Sequence, residues 1–398
     1  MSNAFALMLA SPRATALLSP VAVLQAMLQT ERALVWAQAE LGLVSHEDAQ
    51  TVDEGCVQCA QGLRADELVE QAAAAGSLAI PLVDALKDAV RERDPQALGA
   101  THRGATSQDL IDTAMSLQGR QVQVLIDEEV QRVLRAILRL RQAHGQSPLL
   151  AHTLMQPAAP TVLEARLLNW ALPLQRCRQQ LAARTQAAFT LQLAGAVGDG
   201  AAWGAHAVAL RRSVARRLGL PLHPWAWHAQ RDEGARLAAE LGVLVGALAK
   251  VGLDVALMSQ AEVGELQVAA AGGRGGSSAM PHKRNPVGAM VALSALQRAP
   301  QRVAAAIACM ASPQERGLGP WQAEGAELAD LLIIAAGSAT AMADALEHAA
   351  VNPAKMMEHL LAFHTSTGVA KGGDPTDASS LDHERERLWL ELQACLNP

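Results

Sequence analysis

Tyrosine is absent from this chain and phenylalanine occurs three times, so aromatic residues make up only 3% of it. A base-stacking surface for single-stranded nucleic acid needs successive aromatic faces, and that composition excludes one. Positive charge is also short: 33 lysines and arginines stand against 39 aspartates and glutamates, a net charge of −6. Without a bulk positive field, neither a phosphate backbone nor an anionic membrane surface is an expected partner. Cysteine is sparse and odd in number, at positions 56, 59, 177, 309 and 395. That set fits a reducing cytoplasm rather than a disulfide framework. Cys56 and Cys59 form a CxxC pair, but no second pair follows at zinc-ribbon spacing, so no metal site is expected. The opening MSNAFALMLASPRATALLSP lacks a basic leading region and an unbroken apolar core, so neither a secretory signal nor a membrane span is expected.

Charged residues amount to 18% of the chain and hydrophobic ones to 50%, against about 25% charged in ordinary soluble domains. Too little charge to coat a monomer of this size points to surface covered by other subunits, or to a simple alanine-rich bias. Proline is missing from residues 96–147, 174–220 and 225–280. Within the last run Leu237, Leu241, Leu244, Leu248, Val251, Val255 and Met258 alternate at spacings of four and three. That is a heptad-like seam on a helix of about 30 residues. Further long helices are expected over 109–144, 161–191, 286–311 and 322–347, with Pro173 kinking the second. Strand-like alternation is hard to find anywhere. The expected architecture is all-α: a long central helical bundle over 106–350, a smaller N-terminal helical domain over 1–105, and a short, reduced segment over 351–398. In that last segment, 364–382 is rich in Gly, Ser, Thr and Asp, and 382–396 reads as one charged helix.

Four strings carry the chemistry. Residues 272–286 read GGRGGSSAMPHKRNP, a glycine-rich loop with two hydroxyls that runs into a cationic turn before a helix. Glycines let backbone close over a ligand and offer N–H donors to an anion. The string contains no Walker spacing. Residues 102–114 read HRGATSQDLIDTA. There Thr106, Ser107 and Gln108 form a cluster of short neutral donors before a helix, suited to a substrate carboxylate and equally to a helix cap. Residues 152–161 read HTLMQPAAPT and residues 227–232 read WHAQRD. Arg231 offers a fork for a carboxylate, or pairs with Asp232 or a neighbouring subunit. His228 by itself reads as a packed or capping residue.

GSSAMPHKRNP resembles the signature loop of the fumarase/aspartase superfamily, and the resemblance extends over about residues 18–361. It implies an α-helical homotetramer whose active sites draw on three subunits. It also implies a small polycarboxylate substrate and neither metal nor organic cofactor. The TSQD and WHxQRD strings are similar to those of the bacterial 3-carboxy-cis,cis-muconate cycloisomerases, whereas adenylosuccinate lyases typically carry TSSD. Members of that branch add a substrate carboxylate to a conjugated double bond, giving a γ-lactone in aromatic catabolism. By resemblance Ser277 is the acid/base, while Lys283 and Asn285 hold the carboxylate that gains charge. His102, Thr106, Ser107, Gln108, His152, Thr153, Gln156, Ser278, Met280 and Arg231 bind substrate. The departures are Leu154 where the lyases place a histidine acid, His152 where an arginine usually stands, and Pro157 and Asp199. Alternatives are a β-elimination lyase of a substituted succinate releasing fumarate, and an inactive structural homologue. The intact Ser277/Lys283/Asn285 set argues against the latter.

Overall fold

The computed structural model describes residues 4–268, 275–280, 282–367 and 380–396. Two short helices, α1 (Ala4–Leu7) and α2 (Pro12–Leu17), lead into α3 (Pro20–Glu40), α4 (His46–Gln61), α5 (Ala65–Ala75) and α6 (Ala79–Arg93). Serine caps set three of these starts, Ser11 accepting from Ala14 N–H ahead of α2. Ser19 accepts from Ala22 N–H ahead of α3, and Ser45 accepts from Asp48 N–H ahead of α4, each occupying an otherwise orphaned donor. α3, α4, α5 and α6 close over an apolar cluster that includes Leu24, Met27, Leu86 and Val90 and reaches Leu110 and Ala114 of the next helix.

That next helix, α7 (Ser107–His144), opens the central bundle. With α8 (Leu163–Ala188), α10 (Asp232–Met258), α11 (Val287–Ala308) and α12 (Pro320–Glu347) it forms one continuous core; α9 (Ala207–Leu218) packs on α3 outside it. Every seam residue from Leu237 to Met258 is at most 3% exposed, as a heptad-like stripe facing neighbours requires. The five expected long helices are present, with ends shifted by a few residues. Pro173 lies inside α8, whose helical span continues past it. By length and composition α10 and α12 could cross a membrane, but 50% and 61% of their most apolar windows are buried in the chain. They are core helices here.

Two small sheets depart from the strand-free expectation. β1 (Pro148–Thr153) pairs antiparallel with β2 (Gln156–Val162), with a register shift between Ala151 and His152. Helix was expected from residue 161, and it begins at Leu163. Pro148, Pro157 and Pro160 lack the N–H that a helix needs and fit an exposed two-stranded ribbon. The turn is made by Leu154 and Met155 at φ 51° and 63°, the doubly left-handed geometry of a tight hairpin. β3 (Leu266–Val268) pairs with β4 (Ala349–Val351), tying the entry of the glycine-rich loop to the end of α12. α13 (Pro353–Thr367) follows. α14 (Ser380–Leu396) returns to the bundle through buried Trp389, with Arg141 stacked 5.5 Å above its ring. The charged C-terminal helix is therefore present; residues 368–379 of the polar stretch lie outside the described set.

Gly119 is one of the bundle glycines that leave no room for a side chain. A Cβ on Gly119 of α7 would sit 2.3 Å from Cζ of Phe189, which is itself 2% exposed. Gly119→Ala is expected to cost about 1–3 kcal/mol through overpacking, read as a lower urea midpoint. An unchanged midpoint would mean that the ring moves freely.

Candidate active site

The predicted residues fall into three groups. The first surrounds the N-terminus of α7. Thr106 is the N-cap at φ −130°, ψ 162°, and its N–H donates to Asp109 Oδ2 at 3.1 Å. Both readings of this threonine thus meet at one place, because a capping residue also stands where helix N–H groups favour an anion. Ser107 is half-buried beside it. Gln108 is fully buried, and its Nε2 donates to Asp112 Oδ2 at 3.1 Å and to the His228 carbonyl at 3.0 Å. Its amide nitrogen faces the interior of the chain. His102 adopts φ 54° and places Nδ1 2.5 Å from Glu31 Oε1. Burial pulls this imidazole down, the Glu31 carboxylate pushes it up, and the balance lies above the ordinary histidine value.

Asp109, fully buried, organises the surroundings. Its carboxylate accepts from the N–H groups of Ala194 at 3.0 Å and Gly195 at 2.9 Å, and lies 2.8 Å from His228 Nε2. Arg231 stands at the N-terminus of α10, 8% exposed, and its fork is spent inside the chain. Nη1 donates to Asp112 Oδ2 at 2.8 Å and Nε to Glu324 Oε2 at 2.6 Å, with the guanidinium 4.9 Å over the Trp227 ring. The ion-pair reading of Arg231 describes this geometry, with Asp112 and Glu324 as partners instead of Asp232 or another subunit. Burial outweighs Arg231 at Glu324 and holds that carboxyl above the usual range. A cavity of about 400 Å³ lies beside this cluster, lined by Met115, Phe189, Trp227 and Trp321 among others. Among the described residues, none of the glycine-rich loop lines it.

The second group is the β1–β2 hairpin. His152, Thr153 and Gln156 are exposed near its tip, with His152 Nδ1 3.1 Å from the Leu150 carbonyl. Leu154 is 97% exposed. The third group is the glycine-rich loop, described over 275–280 and 282–286. Gly275 at φ 80° accepts from Asn285 N–H at 2.8 Å, and a Cβ there would lie 2.5 Å from the Asn285 carbonyl oxygen. That close approach demands glycine. Ser277 Oγ accepts from the N–H groups of Met280 at 3.1 Å and Ala279 at 3.4 Å, and Asn285 Nδ2 donates to the Gly276 carbonyl at 3.4 Å. Ser278, Met280 and Lys283 are exposed. Asn285 lines a separate cavity of about 690 Å³ with the segment before α2 and one face of α12.

Among the described residues, no side-chain hydrogen bond of these predicted residues joins one group to another within the chain. Sequence reading missed Glu31 and Glu324 as partners, because they lie 71 and 93 residues from His102 and Arg231. Asp109 was findable: acidic at the third position after Thr106, it completes a capping box.

Comparisons with known proteins agree with this architecture. Residues 13–300 match the lyase family. The 3-carboxy-cis,cis-muconate cycloisomerase of Bradyrhizobium diazoefficiens is 36% identical over 364 residues, covering 92% of this chain and 80% of that protein. Nitrosuccinate lyase of Streptomyces davaonensis is 36% identical over 356 residues, covering 87% and 74%. The crystal structure of 3-carboxy-cis,cis-muconate lactonizing enzyme from Pseudomonas putida superposes with a TM-score of 0.84 at 32% identity, covering all of this chain and 87% of that one. With the loop, the capped α7 start and the bundle all in place, the chain belongs to the lyase family of the fumarase/aspartase superfamily.

Proposed function

We propose that this chain is a 3-carboxy-cis,cis-muconate cycloisomerase, acting in the cytoplasm as a homotetramer whose active sites combine the three groups from different subunits. The observation that carries the reading is Leu154 at the hairpin tip. A lyase that expels an amine must protonate it, and leucine moves no proton. In the reverse of lactone formation the departing group is a carboxylate, with a pKa of about 4, which leaves as a stable anion without an acid. The loss of the histidine is therefore compatible with cycloisomerisation and costly for an adenylosuccinate-type elimination. Expulsion of another stable anion, such as nitrite, would tolerate it equally, so nitrosuccinate belongs in the assay as the second reading.

In the forward direction one substrate carboxylate closes on the conjugated double bond, and the electrons move onto a second carboxylate as an aci-carboxylate. Lys283 and Asn285 hold that developing charge, and Ser277 delivers the proton to the carbon α to it. His102, Thr106 and Ser107 receive another carboxylate, and the hairpin residues His152, Thr153 and Gln156 close the site. Ser278 and Met280 flank Ser277. Gln108 and Arg231 act from behind, shaping the wall through Asp112. Single-chain exposure supports the tetramer: Val243 and Leu253 of α10 and Met290 and Ile307 of α11 are each about half exposed, at 48–56%, an apolar surface that calls for subunit partners. The apolar cluster of α3–α6, which takes in Leu110 and Ala114 of α7, supports an N-terminal domain over 1–105 beside a bundle over 106–350, and the segment 351–398 shares the bundle core through Met356, Trp389 and Leu392.

The test follows loss of diene absorbance from 3-carboxy-cis,cis-muconate, with light scattering on the same sample. Rapid loss by a particle four times the 41.8 kDa chain is the expected result. A concentration-independent monomer, or nitrosuccinate consumed in preference, would overturn the corresponding half of the proposal.

A further inference from the structure

His102 is a non-glycine residue held at φ 54°, a conformation that such residues adopt at a cost and keep only where the surroundings impose it. Here they do. The carbonyl of Arg103 accepts from Gln38 Nε2 of α3 at 2.8 Å and from Trp203 Nε1 at 3.2 Å. Gly104 follows at φ 78°, where a Cβ would lie 2.6 Å from Trp203 Nε1. The turn is thus fixed from two sides, and its result is to bring the imidazole against Glu31.

Glu31 lies in mid-α3 and is 1% exposed. A carboxylate buried that deeply needs a charged or donor partner. His102 Nδ1, 2.5 Å away, is the only one it has among the described residues. Among the described residues the opposite nitrogen, Nε2, has no hydrogen-bond partner, and the side chain retains 18% exposure. Four and five residues further on stand Thr106 and Ser107, at the helix start that receives a substrate carboxylate in the proposed function.

We infer that Glu31 is a positioning residue for substrate binding: it fixes Nδ1–H inward, so that His102 presents Nε2–H outward as a fixed cation for one substrate carboxylate. This rests on the proposed role of the α7 start, and it adds a residue of the N-terminal helices to the machinery. The orientation of a histidine is set by the bond its other nitrogen makes, which is the device used here. The groups that face this imidazole are Glu31 of α3 and Asp109 of α7, which favour the cation, and Lys87 of α6, which together with burial disfavours it. Since Glu31 is the largest favourable contributor, its removal leaves burial to dominate, and the cation is lost at a lower pH.

Propane-1,2,3-tricarboxylate serves as an unreactive probe, titrated calorimetrically into the whole protein between about pH 6 and about pH 9. Wild type is expected to bind it with an affinity that falls as pH rises through the raised titration of His102. Glu31→Gln is expected to move that fall to lower pH and to raise Kd at neutral pH by about tenfold, the worth of one charge-assisted contact. KM should rise with it while kcat changes little. His102→Gln, which keeps a donor but no charge, should bind weakly without this pH dependence, and it decides the matter if Glu31→Gln does not fold. An unmoved pH profile in Glu31→Gln, a pH dependence retained by His102→Gln, or no probe binding by wild type overturns the inference. If 3-carboxy-cis,cis-muconate is not turned over yet the probe shows the Glu31-dependent shift, the substrate assignment falls and this inference stands.

Discussion

Ser277→Ala is expected to lower kcat by about a thousandfold, within the range of about 10²–10⁴ for loss of a positioned acid/base, while leaving fold and assembly intact. The chemistry needs a proton delivered to carbon, and the free hydroxyl of serine is a poor participant at neutral pH. Ser277 Oγ accepts from the N–H groups of Met280 and Ala279. In the proposed role those donors would stabilise the alkoxide left after proton delivery, and a loop closed against another subunit would exclude the water that competes with them. Alanine removes one oxygen from a half-buried position and asks nothing of the backbone, so the thermal midpoint should not move. Ser278, exposed and one residue away, is the internal control. Equal loss in Ser278→Ala, or unchanged turnover in Ser277→Ala, would remove Ser277 from the role.

What the sequence disclosed and what it hid divide along physical lines. The long helices were legible because burial along a helix repeats every three to four residues, and the seam from Leu237 to Met258 carries that period without interruption. The β1–β2 hairpin was not, since its turn uses Leu154 and Met155 in left-handed backbone where glycine or asparagine would have announced it. The loop residues could be named because their string resembles the signature loop of the superfamily, and the close approach of Gly275 to Asn285 is a constraint local to that string. Partners across the fold could not. Glu31 on His102 and Asp112 with Glu324 on Arg231 are contacts between helices, which no local pattern encodes. For Arg231 this alters the chemistry: a fork that looked available to substrate is held by two buried carboxylates.

That commitment makes Arg231→Ala the most destabilising single change expected here. Asp112 is 4% exposed and Glu324 3%. Without the guanidinium both would remain buried with no counter-charge, a situation that typically costs about 3–5 kcal/mol. Trp321 Nε1 and Gln108 Nε2 still donate to Asp112, so Glu324 would bear most of the penalty. The pH dependence distinguishes this cause from simple loss of packing. The Glu324 carboxyl is already above its usual range through burial, even with Arg231 attracting it. Removing Arg231 raises it further in the folded state, while the unfolded value stays near 4.3. A carboxyl whose folded value is the higher one loses stability as pH rises from the unfolded value to the folded one. The deficit of Arg231→Ala, measured by urea unfolding, should therefore be largest at about pH 8 and shrink toward about pH 5, where Glu324 takes up a proton instead of remaining an isolated charge. A deficit that is the same at both ends would assign the loss to the contact between the guanidinium and the Trp227 ring. Glu324→Gln in the Arg231→Ala background provides the complement: it removes the stranded charge, keeps the volume, and should restore much of the lost stability at the higher pH.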